Sequence, residues 1–273
     1  DCADNQLTTL DVSRNTALES LDCADNQLTT LDVSRNTALK SLDCAKNQLT
    51  TLDVSRNTAL ESLNCADNQV TSLDISQNTA LECLICASNK LTALNVSGNA
   101  TLKFLNCESN ELTALDVNRN TALNTLNCLN NRLTSLNVSQ NTRLNLLHCF
   151  NNHLTSLDTS NQRWLHTLSC NNNNYPITIT NDRNYDLSDL PGTFDVNKAS
   201  NWSGGTVSGN ILTVDHDKDG VSYTYDCGNG RTANFTLTVE NKVEEQFTLT
   251  PGGRYYFDLS AMDIPGTVNS NLP

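Results

Sequence analysis

The hydrophobic and polar positions of this chain follow a short alternation, Ser20-Leu21-Asp22-Cys23-Ala24, that returns every 21 residues. Period-2 alternation is the signature of a half-buried strand, with Leu21 and Cys23 inward and Ser20, Asp22 and Ala24 outward. The cysteine recurs at Cys2, Cys23, Cys44, Cys65, Cys86, Cys107, Cys128, Cys149 and Cys170. An asparagine follows each three residues later, from Asn5 and Asn26 to Asn173. A second alternation, Leu7 to Val12, supplies inward Leu10 and Val12 on an opposite wall. A fixed period of this length means one unit stacked on itself, so the architecture is a solenoid.

Between the two walls, Asn26 and Asn15 each mark a corner, where asparagine tolerates tight turns and its amide satisfies turn backbone groups. Both asparagine columns are therefore structural. The unit reads L-x-x-L-x-C-x-x-N-x-L, filled by Leu18, Leu21, Cys23, Asn26 and Leu28. That pattern resembles the leucine-rich repeat with cysteine in place of its third leucine. The 21-residue length and the cysteine ladder are most similar to the internalin family of Gram-positive surface proteins. The match covers residues 1–175, about eight repeats. The resemblance implies a curved array with a short parallel sheet on its concave side, and a role in adhesion.

Composition narrows the partners. The 273 residues carry a formal net charge of -13, which argues against nucleic acid or an anionic membrane. No run of 18 apolar residues suggests membrane insertion. The chain opens in mid-repeat at Asp1 without an N-terminal cap and stops in mid-pattern at Pro273, so it reads as part of a longer protein. Stacked cysteines in register point the same way, against the torsion a disulfide needs, and a packed thiol column is the better reading. Asp11, Asp32, Asp53, Asp74, Asp116 and Asp158 form a carboxylate column, interrupted by Asn95 and Asn137. It is read as a file of turn acceptors with arginines three residues on, because calcium gathers 6–8 oxygens at one point.

The outward positions change along the array. They are small or polar at Ser20, Asp22 and Ala24 and in the next two repeats. Apolar residues then enter at Cys83, Ile85, Phe104, Leu129, Leu146 and Phe150, with His148 beside them. This concave patch is the candidate ligand-binding site, since a contiguous apolar surface marks an interaction. Drift on a tolerant surface, or cover by the C-terminal part, is the competing reading. His148 lies on a strand and His153 past the corner, and neither belongs to an assembled triad. Cys83 is the one thiol on the open face, without an activating base.

The last repeat degrades at Gln162 and Trp164, and residues 176–241 read as a β-sandwich closing the open end. Strand candidates are Ile177–Thr180, Thr206–Val207 and Ile211–Val214; Val221, Tyr223 and Tyr225 then turn at Gly228-Asn229-Gly230 into Ala233–Val239. The resemblance implies an immunoglobulin-like module, with Trp202 in its core and Cys227 a buried thiol. Asp215–Gly220 lacks the downstream glutamate of a calcium loop and reads as a polar hairpin loop. Residues 242–273 read as a linker and the start of a further, incomplete β module. The fold class is thus an α/β-type solenoid of short parallel strands with little helix, followed by a small all-β immunoglobulin-like domain. The chain reads as a monomeric, non-catalytic recognition protein without cofactor or metal, extracellular or on a bacterial cell surface. Its ligand is a protein or glycan, and the alternative is a spacer projecting another domain.

Overall fold

The computed structural model describes residues 1–179 and 182–241. Thr180 and the linker and β module expected over 242–273 lie outside the described residues. Eight three-residue strands stack in parallel and in register: β1 (Ser20–Asp22), β2 (Ser41–Asp43), β3 (Ser62–Asn64), β4 (Cys83–Ile85), β5 (Phe104–Asn106), β6 (Thr125–Asn127), β7 (Leu146–His148) and β8 (Thr167–Ser169). Each middle leucine faces inward, and Leu42, Leu63, Leu84, Leu105, Leu126 and Leu147 are fully buried. The opposite wall is not a second sheet. Its apolar residues, such as Val33 and Val54, are buried on extended segments without strand pairing. The array contains no α-helix, so it is a β-solenoid rather than an α/β one.

Two asparagine columns hold the stack. Asn89 is representative of the first: its Nδ2 donates to the carbonyls of Cys65, Cys86 and Ala87, and its Oδ1 accepts from the Val70 amide at 2.9 Å. From Asn26 to Asn173, each such asparagine clips two repeats together, its amide donating to and its oxygen accepting from the backbone. In the second column, Asn99 Nδ2 donates to the Ile75 and Asn78 carbonyls, and its buried Oδ1 has no protein partner. The residue preceding each first-column asparagine adopts a left-handed backbone, from Asp4 at φ 55° to Asn172 at φ 54°. Asp, Asn and Ser dominate those positions, and the short polar side chains of Asp and Asn tolerate that conformation. The thiols are free and buried between the walls, as at Cys44, Cys86, Cys107 and Cys128. Cys23 and Cys107 Sγ donate to the next repeat's backbone carbonyl.

The last asparagine of the ladder, Asn173, is also the first residue of β9 (Asn173–Ile179). From there the chain builds β10 (Asn184–Asp186), two short 3₁₀ turns, β11 (Ala199–Ser203), β12 (Gly205–Ser208), β13 (Ile211–Val214), β14 (Gly220–Gly228) and β15 (Arg231–Asn241). They form two sheets, ordered β10-β13-β12 and β11-β14-β15-β9, antiparallel throughout except that β9 runs parallel to β15. The β14–β15 hairpin turns where expected. Asp215–Gly220, however, joins β13 to β14 across two sheets and is not a hairpin loop. Arg183 braces it, donating to the carbonyls of Val214, Asp215 and Lys218. Trp202 is half-buried and stacks on Tyr223 at 4.5 Å, while Tyr223 and Tyr225 both meet Phe194 and Phe235. Cys227 is fully buried.

These sheets are fastened to the last repeats by polar contacts that run from buried groups out to the surface. Tyr223 Oη donates to the Thr155 carbonyl at 2.6 Å, and the Thr159 amide and hydroxyl both donate to the Cys227 carbonyl. Arg231 donates to the Gln162 and Leu165 carbonyls, and Asn229 to those of Thr159 and Ser160. Gly228, at φ 86°, sits so close that a Cβ would lie 3.0 Å from Ser160.

Candidate functional site

The outward positions of β1–β8 form three files whose members stand one strand spacing apart, ~4.8 Å. The first runs Ser20, Ser41, Ser62, Cys83, Phe104, Thr125, Leu146, Thr167 by register. The second runs Asp22, Asp43, Asn64, Ile85, Asn106, Asn127, His148, Ser169. The third, just past the cysteines, runs Ala24, Ala45, Ala66, Ala87, Glu108, Leu129, Phe150, Asn171.

All seven candidate residues lie in these files. Cys83, Phe104 and Leu146 share the first, with Thr125 between the last two. Ile85 and His148 share the second, separated by Asn106 and Asn127, and Leu129 and Phe150 are neighbours in the third. Every one of them is half-buried rather than exposed. The surface is thus a corrugated face with apolar residues set among amides. Both amides engage Glu108: Asn127 Nδ2 donates to its Oε2, and Asn106 Oδ1 accepts from its backbone amide at 3.1 Å.

One outward assignment is corrected. Ala45, Ala66 and Ala87 are buried and pack on one another, with Ala24 and Ile85 against them. The strand ends at its third residue, so strict alternation does not carry through to the alanine. Their replacement by Glu108, Leu129 and Phe150 consequently brings larger side chains to a site that holds only a methyl group in the earlier repeats.

Burial raises the Cys83 thiol, with a hydrogen bond to Ser62 opposing it, so no activated nucleophile is present there. Burial pushes Cys65 and Cys107 in the interior up to about 12. His153 Nδ1 lies 2.6 Å from the Asn174 carbonyl, an exposed corner contact. The aspartate column accepts from the amide two residues on, as in Ser13 N to Asp11 Oδ1 at 2.9 Å, and hydrogen bonding from the side chain and then the backbone amide of Ser13 and Ser34 holds Asp11 and Asp32 below the usual carboxylate range. Among the described residues no group of three or more His, Cys, Asp or Glu side chains is placed to hold a metal ion, and no helix is long and apolar enough to cross a membrane.

A rim beside the first file escaped the sequence reading. Three residues before each strand stand Ala17, Ala38, Ala59, Ala80, Thr101 and Ala122, then Arg143 and Trp164. An open depression of ≈ 450 Å³ lies there, lined by Lys103, Phe104, Ala122, Asn124, Thr125 and Arg143. Applying the 21-residue register to this position, and not only to the strand, reveals the change.

A family model for leucine-rich repeats in two copies matches residues 16–57. The structure is similar to the functional domain of InlJ from Listeria monocytogenes, which includes a cysteine ladder: 31% identity, TM-score 0.57, 88% of this chain and 71% of that one. It is also similar to a leucine-rich-repeat protein of Leptospira interrogans, at 27% identity and TM-score 0.59 over 64% of this chain and 48% of that one. An internalin (inlF) of L. monocytogenes matches at 26% identity and TM-score 0.55, over 59% and 51%. No curated protein matches the chain in sequence.

Proposed function

This chain belongs to the internalin-type leucine-rich-repeat proteins, and from that premise we propose that it binds a protein or glycan ligand on the concave, strand-bearing face of its array. Leucine-rich-repeat proteins of the internalin and receptor types mediate protein binding, and such solenoids are typically non-enzymatic. The observation that carries the reading is the contrast within one fold. The strand leucine and the cysteine after it stay constant through all eight strands, while the three files beside them change from Ser, Asp and the tucked-in Ala to Cys83, Ile85, Phe104, Leu129, Leu146, His148 and Phe150. Packing alone does not require that change, because the earlier repeats stack equally well without it.

In this reading residues 1–175 are the recognition array and residues 176–241 an immunoglobulin-like module that closes its end. Residues 242–273 lead towards a further module. The protein works as a monomer, outside the cell or on a bacterial surface, as an adhesin. The near-identity of the first three repeats favours a spacer role for that half. The test probes arrays of host proteins and glycans with the wild-type chain and with a Phe104→Ser, Phe150→Ser double variant. Loss of the wild-type signal with an unchanged thermal melt is the expected result. Equal binding removes this face from the account, and a wild-type chain that binds nothing favours the spacer.

A further inference from the structure

The rim carrying Arg143 and Trp164 differs from the rest of the molecule in two independent ways. The first is exposure. Trp164 is 67% exposed, and only it and Ile211, at 41%, are large exposed hydrophobics among the described residues. Its ring enters none of the aromatic contacts, which all lie in the C-terminal sheets. The backbone beneath it is nonetheless held from both sides. Gln162 Nε2 donates to the Val138 carbonyl at 2.6 Å, and Arg231 donates to the carbonyls of Gln162 and Leu165. A fixed backbone presenting a solvated indole binds with little ordering cost, and Trp and Arg are the residues that dominate binding energy in protein interfaces.

The second is charge. Residues 1–85 carry 13 acidic and 5 basic side chains, and residues 173–273 carry 13 and 6. Residues 86–172 carry 4 and 6, a net positive island in a chain of net charge -13. Along the file just before each strand, Glu19, Lys40, Glu61 and Glu82 are followed by Lys103, Asn124, Asn145 and His166, so no carboxylate stands in it beyond Glu82. Lys103 is neutralised by Glu82 at 2.7 Å and Arg132 by Glu111 at 3.1 Å, whereas Arg143 and Arg163 enter no ion pair among the described residues. Those two cations flank Trp164, Arg143 from the same position one repeat earlier and Arg163 from the adjacent residue.

We propose that this rim docks an acidic protein segment bearing a bulky apolar side chain, with Trp164 and Arg143 as its anchors. The apolar side chain enters the depression floored by Phe104 and Ala122, and a carboxylate pairs with the Arg143 guanidinium in the forked geometry that arginine offers. The acidic flanks repel long polyanions and so favour a short segment. This inference rests on the reading of the array as a protein-binding surface and names the chemistry of the partner.

The test selects a displayed library of random linear peptides on the immobilised chain, then measures the selected peptides by fluorescence anisotropy. Wild type is compared with Trp164→Ala, Arg143→Glu and Phe150→Ser, the first two at exposed positions that leave the fold intact. The expected peptides are rich in Asp and Glu around a Leu, Phe or Trp. They bind about thirtyfold more weakly to Trp164→Ala and Arg143→Glu, and weaken between about 0.05 and 0.5 M salt. Selected peptides without acidic bias, or undiminished binding to Trp164→Ala, overturn the proposal. So does binding confined to sialylated glycans. Concentration-dependent dimerisation lost in Arg143→Glu, read by sedimentation, would instead make a second copy the occupant and also overturns it. Peptides sensitive to Phe150→Ser but not to Trp164→Ala would sink this inference while leaving the strand-face reading standing.

Discussion

Truncating one asparagine in each ladder to alanine should cost very different amounts, and the hydrogen bonds say why. In Asn89→Ala the Cys65 carbonyl keeps Asn68, the Cys86 carbonyl keeps Asn110, and the Ala87 carbonyl keeps the Asp67 amide. The Val70 amide, buried with its residue at 1% exposure, keeps nothing. An orphaned buried donor costs about 1–3 kcal/mol, and the thinned acceptors add about 1 kcal/mol more. The total is about 3 kcal/mol. In Asn99→Ala the Ile75 and Asn78 carbonyls retain the amides of Asn78 and Leu81, and the change also removes the unpaired Oδ1. That cost is about 1 kcal/mol, because no donor is left alone. Urea unfolding of both variants, with hydrogen exchange to check that the loss is local, reads the difference. Equal costs, or a larger one for Asn99→Ala, would refute the reasoning and place a bonding partner on the Asn99 oxygen.

Lys46 holds φ 50° where neighbouring repeats use Asp or Ser, so Lys46→Asn should stabilise by about 0.5–1 kcal/mol even though it removes the exposed pair with Asp25; a lowered urea midpoint contradicts this. The buried thiols give an alkaline limit. Cys65 and Cys107 are pushed from 9.0 to about 12 by burial, so the unfolded chain loses its thiol protons first. Stability is then fully present below pH 9 and falls between pH 9 and 12, by up to about 1.4 kcal/mol per pH unit for each such thiol; a urea midpoint flat from pH 8 to 11 would count against a thiol column. Tyr223→Phe leaves the buried Thr155 carbonyl without its 2.6 Å donor and should cost about 1–3 kcal/mol, read as earlier exchange of β8 and β14 amides.

The period, the strand positions and the packing role of cysteine were legible because each is written in every repeat and depends only on neighbours 21 residues away. Legibility failed where parity was carried too far. Ala45 continues the alternation on paper, yet the strand ends at Asp43 and the backbone turns left-handed at Lys46, which tucks the alanine inward. On the second wall the inward alternation was legible, with Leu31 and Val33 buried, but the absence of strand pairing there was not. The Val33 carbonyl instead accepts from Asn57 Nδ2, so side-chain amides replace a ladder. β10 and β11, Asn184–Asp186 and Ala199–Ser203, carry too little apolar alternation to be seen. The clasp of Tyr223, Asn229 and Arg231 on Thr155 to Leu165 spans 66 or more residues and has no local signal. Of the candidate surface, the strand files could be read from the sequence. The degree of burial could not, because it depends on how the corners fold beside the strands, and the Arg143–Trp164 rim shows only when the 21-residue register is applied three residues ahead of each strand.

The most direct measurement is a hydrogen-exchange footprint of the chain with whichever protein ligand the array screen returns. The account predicts protection centred on β4–β7, from Cys83 to Phe150, extending to the segment around Trp164, with β1–β3 unchanged. Protection confined to β1–β3, or to residues 182–241, would contradict it.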